Sequence, residues 1–309
     1  MRVLITGSSG LIGTNVGLAL VDRGDDVVGI DIRANPWSDR FATEFVDLNV
    51  AAPDELPDGG FDVVLHCAAH AKVFELVQNP ERAMENIRML FVVLDHCRRT
   101  RTPIVFSSSR EVYGDIHRHV TDESAADFVV AESPYSASKI AGEALVYSYA
   151  QCYDLPYLVF RFSNVYGRFD NDLDRLERVV PLFIDRIARD REIVVFGRDK
   201  VLDFTYINDC VAGVVSGIDA LATGRVRNQT INLASGRGYT LLDLVNMIGM
   251  SLGRTPKATF ADARVGEVTR YVADISKARE LLGFDPQWPL SGGLLKAVAW
   301  QRETGALAC

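Results

Sequence analysis

The stretch Val3-Leu4-Ile5-Thr6-Gly7-Ser8-Ser9-Gly10-Leu11-Ile12-Gly13 reads as an apolar strand, a glycine-rich turn and the start of an amphipathic helix. Gly7 would allow a tight turn, Gly10 a close approach of a pyrophosphate to the backbone, and Gly13 close packing of helix on strand. The free amides at the helix N-terminus favour an anionic group beside them. Strand, glycine turn and helix in this order therefore indicate a dinucleotide-binding unit.

A carboxylate ends the next predicted strand, Val27–Asp31. Asp31 would accept hydrogen bonds from the adenosine ribose hydroxyls and repel a 2'-phosphate, which favours NAD over NADP. Arg33 lies just beyond this strand and could receive such a phosphate, but Asp31 occupies the decisive position. We therefore predict NAD as the cofactor.

Short apolar runs alternate with longer stretches of helical period through the first half of the chain. This alternation is typical of β-α-β units that build a parallel sheet. The predicted fold is therefore α/β, a Rossmann-like doubly wound parallel sheet with a smaller C-terminal α/β substrate lobe. The predicted strands of the sheet are Val3–Thr6, Val27–Asp31, Phe45–Asp47, Val63–His66, Ile104–Ser107 and Leu158–Arg161.

The alternation loosens beyond about Arg161, where we predict the second lobe. We assign residues 1–165 and about 203–222 to an NAD-binding Rossmann domain, and about 166–202 and 223–309 to a substrate-binding lobe. Capping residues, glycines and apolar periodicity predict the helices. These are Leu11–Arg23, a helix from Asn79-Pro80, Val180–Arg189, a helix after Asp209, Leu241–Leu252 behind Thr240 and Asp243, and Ser276–Leu282.

The composition is that of a globular enzyme, because 48% of the 309 residues are hydrophobic and can form a large core. The formal net charge of -8 opposes binding to nucleic acid or to an anionic membrane, which attract clustered Lys and Arg. No apolar run approaches a membrane span, and we expect no leader. The cysteines are odd in number and form no Cys-x-x-Cys pair, so we expect reduced thiols in a cytoplasmic protein. They are Cys67, Cys97, Cys152, Cys210 and Cys309.

Tyr135 and Lys139 lie four residues apart in Ser133-Pro134-Tyr135-Ser136-Ala137-Ser138-Lys139, which opens a predicted helix, so they share one face. A phenol titrates near pH ~10, and an adjacent ammonium favours the phenolate. Oxidised nicotinamide would add a second positive charge. In an isolated Tyr-x-x-x-Lys pair the tyrosine usually packs and the lysine is solvated. The upstream dinucleotide turn favours the catalytic interpretation instead.

Three serines, Ser107, Ser108 and Ser109, follow the predicted strand that begins at Ile104. Ligands of open parallel sheets bind at the carboxyl ends of the strands, where a serine can orient a substrate hydroxyl. By themselves, three serines would more often form a polar turn.

Taken together, these motifs resemble the extended short-chain dehydrogenase/reductase family, in its branch of NAD-dependent nucleotide-sugar epimerases and dehydratases. The resemblance runs from Met1 to about Gln301 and is greatest to UDP-glucuronate and UDP-glucose 4-epimerases. It rests on motifs in the order of that family: Thr6-Gly-x-x-Gly-x-x-Gly13, Asp31, Asp47-Leu48, His66-x-Ala68-Ala69, Ser107-Ser-Ser109, Val112-Tyr113-Gly114, Tyr135-x-x-x-Lys139 and Asn164-Val-Tyr-Gly167.

The resemblance implies a role for each matching residue. Tyr135 would be the acid/base, Lys139 would hold it and the nicotinamide ribose, and Ser109 would bridge to the sugar hydroxyl. The expected cofactor contacts are Gly7, Gly10, Leu11, Ile12, Gly13, Asp31, Ile32, Arg33, Asp47, Leu48, His66, Ala68, Ala69, Ser107, Tyr135 and Lys139. The expected substrate contacts are Ser108, Ser109, Arg110, Glu111, Asn164, Arg168, Val180, Arg198, Arg264 and Glu267.

The residues after Ser109 bear on which reaction follows the shared first step, in which the tyrosine removes a hydroxyl proton and NAD takes a hydride. The resemblance implies that a 4,6-dehydratase would carry Asp-Glu here, whereas this chain has Arg110-Glu111, so the acid is missing. A UDP-glucuronate decarboxylase would share Glu111 but not Arg110. A guanidinium facing C6 would bind a uronate carboxylate and, by stabilising that anion, hinder loss of CO2.

We therefore hypothesise 4-epimerisation of a UDP-sugar through a transient 4-keto intermediate. UDP-glucuronate is the leading substrate, and UDP-glucose, UDP-galactose or their N-acetyl forms come next. The alternatives are a UDP-glucuronate decarboxylase, an NDP-sugar 4,6-dehydratase, a reductase that releases its cofactor, and a non-catalytic NAD-binding sensor. Arg110 could also point away from the substrate and pair with an acidic neighbour.

Leu202 departs from the family pattern, in which many relatives carry an arginine before Asp203-Phe204 that touches the diphosphate. We expect the contact to shift to Arg168, Arg198 or Arg264.

Two further sequence features have simple interpretations. His117 and His119 could suggest a metal, but without carboxylate or thiol partners they favour a solvated loop, and we expect no metal. The helices near Met84–Leu94 and Ala141–Ala150 could pair across a two-fold axis, as the resemblance implies, so we expect a homodimer, although the sheet also explains their apolar faces.

Overall fold

The computed structural model describes residues 1–113, 131–173 and 178–307. The strands in these ranges are β1 (Arg2–Thr6), β2 (Asp26–Asp31), β3 (Ala42–Phe45), β4 (Val63–His66), β5 (Ile104–Ser109), β6 (Tyr157–Phe162), β7 (Asn164–Tyr166), β8 (Ile193–Phe196), β9 (Val201–Tyr206), β10 (Gln229–Leu233), β11 (Gly238–Thr240) and β12 (Ala258–Ala261). The helices are α1 (Leu11–Asp22), α2 (Val73–Gln78), α3 (Glu81–Thr100), α4 (Pro134–Tyr153), α5 (Val179–Ala188), α6 (Ile207–Ala222), α7 (Leu241–Leu252), α8 (Ser276–Leu282) and α9 (Leu290–Glu303). A short 3-10 helix covers Arg110–Tyr113.

A seven-stranded parallel sheet in the order β10-β6-β5-β4-β1-β2-β3 forms the larger part of the molecule. Side chains alternate along β1, so Val3 and Ile5 join one apolar core, with residues of α1 and α6, while Leu4 joins the other, with residues of α3 and α4. Helices thus cover both faces of the sheet, as a doubly wound fold requires. The predicted fold class is confirmed.

Five of the six predicted strands lie within the observed β1, β2, β4, β5 and β6. The prediction of a strand at Phe45–Asp47 was wrong, because β3 runs from Ala42 to Phe45. Asp47 instead closes a turn, in which its Oδ1 accepts a hydrogen bond from the amide of Asn49 at 2.9 Å. A side chain that binds its own backbone two residues on competes with strand pairing.

The smaller part of the molecule contains a three-stranded sheet in the order β11-β9-β7 and a parallel pair of β8 with β12. Helices α5, α7 and α9 pack in this region. One assignment to this lobe was wrong: β10 pairs in parallel with β6 and so lies in the large sheet. Its residues Ile231 and Leu233 are fully buried, which explains why the chain returns to the sheet after α6.

Side-chain hydrogen bonds cap the N-termini of α4 and α7. Ser133 caps α4 with a reciprocal pair of hydrogen bonds to Ser136, and Pro134 occupies the first helical position. Thr240 and Asp243 form the predicted capping box of α7. Because the Ser133 cap determines where α4 begins, it also determines the position of the first turn of this helix.

None of the described helices has the combination of length and apolar character needed to span a bilayer.

Candidate active site

A cavity of about 1040 Å³ lies between the carboxyl edge of the large sheet and the smaller lobe. Its walls include Gly7 after β1, Asp31 at the end of β2 and Ser109 at the end of β5. Across from these, Val180 of α5 and Phe196 of β8 belong to the smaller lobe. The cavity therefore occupies the edge where ligands of open parallel sheets bind.

The glycine turn forms one end of this cavity. Gly7 has a φ of +71°, and a Cβ there would lie 2.7 Å from the amide nitrogen of Ala68. A Cβ on Gly13 would collide with the carbonyl oxygen of Gly7, and one on Gly10 would lie 3.2 Å from the same oxygen. Only residues without a side chain keep this turn tight and its amides open to a phosphate group, so the turn fits a dinucleotide.

Asp31 lines the cavity, and its Oδ2 accepts a hydrogen bond from the amide of Ser9 at 3.0 Å. This contact ties the end of β2 to the glycine turn and holds the carboxylate beside it. The other expected cofactor contacts that line the cavity are Gly10, Leu11, Ile12, Ile32, Leu48, Ala68, Ala69 and Ser107. The residues thus form a continuous surface on which NAD would lie.

Three expected cofactor contacts do not line the cavity. Arg33 is engaged elsewhere, since it pairs with Asp172 at 2.9 Å and donates to the carbonyl of Ser9 at 3.0 Å. Asp47 caps the turn described above. His66 is buried with its Nδ1 2.7 Å from the Thr6 hydroxyl, and burial lowers its pKa to about 3. Each of these three side chains thus has a partner within the protein, and its contact with the cofactor stays a prediction.

Ser109, Tyr135 and Lys139 meet where β5 ends and α4 begins. Lys139 donates a hydrogen bond from Nζ to the carbonyl oxygen of Ser107 at 2.8 Å, and its Nζ lies 5.8 Å from the centre of the Tyr135 ring. The Ser109 hydroxyl acts on the Tyr135 phenol to lower its pKa, and Ser109 Oγ accepts a hydrogen bond from the amide of Glu111 at 3.2 Å. All three side chains line the cavity and are at most 8% exposed.

Burial dominates the electrostatics of this group. It raises the pKa of Tyr135 to about 12, against the hydrogen bond from Ser109 and the charges of Arg178 and Arg110, while Glu111 adds to the rise. Burial also lowers the pKa of Lys139 to about 8. The charges around Tyr135 in the protein thus do not offset the cost of burying its charged form. The expected phenolate, which also draws on the charge of oxidised nicotinamide, stays a prediction.

Arg110 and Glu111 form an ion pair on the cavity wall beside Ser109. Arg110 Nη2 lies 2.9 Å from Glu111 Oε1 and donates to Asn164 Oδ1 at 3.2 Å. The other ends of the pair, Arg110 Nη1 and Glu111 Oε2, are buried and have no hydrogen-bond partner among the described residues. Burial raises the pKa of Glu111, and the charge of Arg110 opposes that rise. Arg110 thus pairs with an acidic neighbour while still lining the cavity.

Arg264 lies at the far end of the cavity between two aromatic rings. Its guanidinium carbon is 4.0 Å from the centre of the Phe196 ring and 5.0 Å from that of Phe74. Glu267, three residues on, also lines the cavity and pairs with Lys200 at 2.5 Å. The cations Arg264 and Lys200 and the acceptor Glu267 therefore line the part of the cavity in which the resemblance places the nucleotide.

Arg168 and Arg198, two expected substrate contacts, are not among the residues that line the cavity, and their part in substrate binding stays a prediction. Arg168 donates to Asn15 Oδ1 at 2.6 Å and thereby connects the turn after β7 to α1. Arg198 is exposed and lies over the ring of Phe260 at 5.2 Å.

Several charged groups on the cavity wall were missed by the sequence analysis, among them Lys200 and Arg178. Lys200 is buried and precedes Leu202 by two residues, which places both on one face of the β9 segment. This alternation is a signal that could have identified it. Arg178 pairs with Asp170 at 3.4 Å, and burial raises the pKa of Asp170 to about 7 against the charge of Arg178. That pairing depends on the tertiary fold and has no sequence signal.

No cluster of three or more His, Cys, Asp or Glu suited to a metal occurs in the part of the chain that the structure describes. His117 and His119 lie outside the described residues.

Comparison with known proteins identifies the family. The chain matches the model of the NAD dependent epimerase/dehydratase family over residues 3–234. An uncharacterised UDP-glucose epimerase of Bacillus subtilis is 30% identical over 319 aligned positions, which cover 97% of this chain and 98% of that protein.

Two solved structures are similar along nearly the whole chain. A UDP-glucose 4-epimerase of Thermotoga maritima with UDP-glucose has a TM-score of 0.90 at 27% identity, covering 98% of this chain and 99% of that one. A UDP-glucuronic acid 4-epimerase of Bacillus cereus, in complex with UDP-glucuronic acid and NAD, has a TM-score of 0.88 at 26% identity, covering 98% and 100%. The predictions of the family and of NAD as the cofactor are confirmed. The chain belongs to the NAD-dependent epimerase/dehydratase family.

Proposed function

We propose that this enzyme interconverts the C4 epimers of a UDP-sugar through a transient 4-ketone. The observation that carries the proposal is the meeting of Ser109, Tyr135 and Lys139 in the cavity that the glycine turn opens onto. Similar proteins named as UDP-sugar 4-epimerases support the same chemistry.

The residues divide the work between proton transfer and positioning. Tyr135 would take the proton of the C4 hydroxyl as the C4–H bond breaks, and return it to the oxygen when the ketone is reduced. Ser109 would hold that oxygen by a hydrogen bond, and Lys139 would supply a positive charge next to the phenol. Bound NAD would supply the hydride acceptor for C4 and the donor that reduces the ketone again from the opposite face of the sugar. No net oxidation results, so the cofactor stays with the protein.

The residues that would hold NAD are Gly7, Gly10 and Gly13 at the pyrophosphate and Asp31 at the adenosine ribose. Their geometry fits that group, since the turn leaves no space for side chains and Asp31 is held beside it.

UDP-glucuronate is the leading substrate in this proposal. Arg110 lines the cavity next to Ser109. Its buried Nη1 has no hydrogen-bond partner among the described residues and could donate to a C6 carboxylate. The Bacillus cereus epimerase, similar over nearly the whole chain, was solved with UDP-glucuronic acid.

Neutral UDP-hexoses are the second candidate, and a specific contact favours them. Glu111 already neutralises Arg110 at 2.9 Å, so a second carboxylate at C6 would meet a like charge. The Thermotoga maritima structure contains UDP-glucose. The same pair also opposes decarboxylation, because a guanidinium near C6 stabilises the ground-state carboxylate.

Product identification by NMR tests the proposal directly. The protein would be incubated with UDP-glucuronate, UDP-glucose, UDP-N-acetylglucosamine and dTDP-glucose. A C4 epimer is expected, with no net change in NAD. A pentose with released CO2 would indicate a decarboxylase, and a 4-keto-6-deoxy sugar a dehydratase. Net reduction with release of cofactor would indicate a reductase, and no product from any substrate a non-catalytic NAD-binding protein.

A homodimer and a cytoplasmic location stay predictions. Met84 and Phe91 of α3 expose 66% and 45% of their surface, which supports pairing through this helix. Sedimentation equilibrium of the purified protein measures the oligomeric state.

A further inference from the structure

One face of α4 carries more than the two residues that the proposed reaction uses. Tyr135, Lys139, Glu143 and Tyr147 follow at intervals of four residues, so they form a stripe along the helix. Glu143 is only 4% exposed, and the mechanism above assigns it no role. A buried carboxylate so close to a catalytic pair needs an explanation, because burying a charge is costly unless it is paired.

Glu143 joins α4 to two neighbouring strands. Its Oε1 accepts hydrogen bonds from Ser108 Oγ of β5 at 2.5 Å and from Arg161 Nε of β6 at 3.0 Å. Its Oε2 accepts from Arg161 Nη2 at 2.8 Å and from the Tyr147 hydroxyl at 3.0 Å. The pair of Glu143 with Arg161 is almost fully buried, with side chains 6% and 5% exposed.

Three successive residues of β5 thus contact α4. The carbonyl of Ser107 accepts from Lys139, the hydroxyl of Ser108 donates to Glu143, and the hydroxyl of Ser109 acts on the Tyr135 phenol to lower its pKa. The contact between Ser108 and Glu143 is the one that involves none of the three side chains assigned to the reaction. Since Ser107 and Ser109 are its covalent neighbours, a shift of Ser108 along the helix would displace both.

We propose that Glu143, held in place by Arg161, is a positioning residue of the reaction that fixes the end of β5 against α4, so that the Ser109 hydroxyl meets the Tyr135 phenol. The proposal rests on the function proposed above. It assigns Glu143 no contact with the substrate or the cofactor.

The charge of Glu143 has a second effect, on Lys139. Cys67 and Glu143 both act to raise the pKa of Lys139, against the stronger effect of burial. The other titratable groups beside Lys139 are His66, which burial keeps neutral, and Tyr135. Cys67 is also kept neutral, since burial raises its pKa to about 12. Glu143 therefore supplies negative charge, shared with Arg161, that favours the ammonium form of Lys139.

Two variants separate the positioning role from the electrostatic one. Ser108→Ala removes the hydroxyl that Glu143 holds and changes no charge. We expect kcat to fall roughly tenfold or more with KM within about twofold, because misplaced catalytic groups slow the chemical step. Ser216→Ala is the matched control, since the Ser216 hydroxyl donates to the carbonyl of Leu282 away from the cavity. It should match the wild type.

Glu143→Gln keeps the shape and removes the charge. We expect the alkaline limb of the kcat profile, where Lys139 loses its proton, to move to lower pH by roughly one pH unit. Ser108→Ala should leave that limb in place. A residue that only stabilises the fold would change the melting temperature and leave both kcat and the limb unchanged.

Glu143→Gln leaves Arg161 buried without a counter-charge and could fail to fold. Glu143→Gln with Arg161→Met removes both charges, and the same measurements are then made on that double variant. Both variants, Ser108→Ala and the folded Glu143 variant, are compared with the wild type with NAD bound. The inference is overturned if both keep kcat within twofold of the wild type and show the same alkaline limb. If the wild type turns over no UDP-sugar, the proposed function has failed instead.

Discussion

The ammonium of Lys139 donates a hydrogen bond to the main-chain oxygen of Ser107, 2.8 Å away. This contact holds the charge 5.8 Å from the centre of the Tyr135 ring, close enough to act on the phenol through space. Burial nevertheless raises the pKa of Tyr135 to about 12, so the side chains alone stabilise the neutral phenol. We therefore expect the base form of Tyr135 to need a further positive charge, which oxidised nicotinamide would supply.

Replacing Tyr135 by phenylalanine should lower turnover by at least about 100-fold, because its phenol is the group that we propose moves the C4 hydroxyl proton. Bound NAD should remain, since the phenol is one of many cofactor contacts. Turnover by NMR and the NAD content of the purified protein measure the two effects. Tyr153→Phe, in the last turn of the same helix and 55% exposed, is the control. Substantial activity in the Tyr135 variant would contradict the proposed role.

Replacing Arg110 by alanine should raise KM for UDP-glucuronate roughly tenfold or more, since hydrogen bonds to a charged group are worth about 1.5–3 kcal/mol. The effect on UDP-glucose should be much smaller. Initial rates with both substrates give the comparison, and Arg198→Ala, outside the cavity, should change neither. An equal rise for the two sugars would rule out the uronate proposal.

Lys200 should bind the diphosphate in place of the arginine that Leu202 replaces. Its ammonium lines the cavity and is held by Glu267, near Arg264. Lys200→Met should weaken the binding of UDP by about tenfold, the loss of roughly 1.4 kcal/mol, and leave uridine binding unchanged. Calorimetric titration measures both ligands. Lys257→Met removes an exposed lysine and serves as the control. Equal losses for UDP and uridine would show that Lys200 acts elsewhere.

Asp170 should make folding stability fall as the pH rises toward neutrality. Its pKa is raised from 3.8 to about 7 by burial, so the folded state binds its proton more tightly than the unfolded state. The stability gained from that proton is complete below pH ~4 and is lost as the pH rises through about 7, by up to about 4 kcal/mol.

Asp170→Asn mimics the protonated form and should remove this dependence. The variant should therefore gain stability relative to the wild type between pH 5 and pH 8, measured by urea unfolding. Asp154→Asn, whose side chain is 91% exposed, should show no such gain. A constant difference between the Asp170 variant and the wild type across this range would contradict the shifted pKa.

Local sequence signals predicted most of the fold because they act over a few residues. The continuous apolar run at Val63–His66 and the capping pair Thr240 and Asp243 needed no distant partner to be recognised. The predicted strand at Phe45–Asp47 was wrong for a local reason too, since the Asp47 side chain binds the Asn49 amide and ends the extended chain. The assignment of β10 to the smaller lobe was wrong because strand pairing with β6 is a long-range property.

The candidate site divides in the same way. The glycine turn, Asp31, Ser109, Tyr135 and Lys139 could all be identified from spacing and motif order, since the backbone geometry of a turn and a helix places them. Arginines were the least predictable residues, because a long charged side chain contacts whatever the fold brings near it. Arg33 binds Asp172, and Arg168 binds Asn15, across separations of 139 and 153 residues.

The sequence by itself determined the dinucleotide fold and the choice of NAD, and it identified Tyr135 and Lys139 as the candidate catalytic pair, because short-range geometry and hydrogen-bonding capacity depend on neighbouring residues. Tertiary structure alone decided the partners of the charged side chains and the balance between burial and charge at Tyr135. It also paired Arg110 with Glu111 and Arg161 with Glu143. Desolvation depends on everything packed around a group, so no local pattern in the chain contains it.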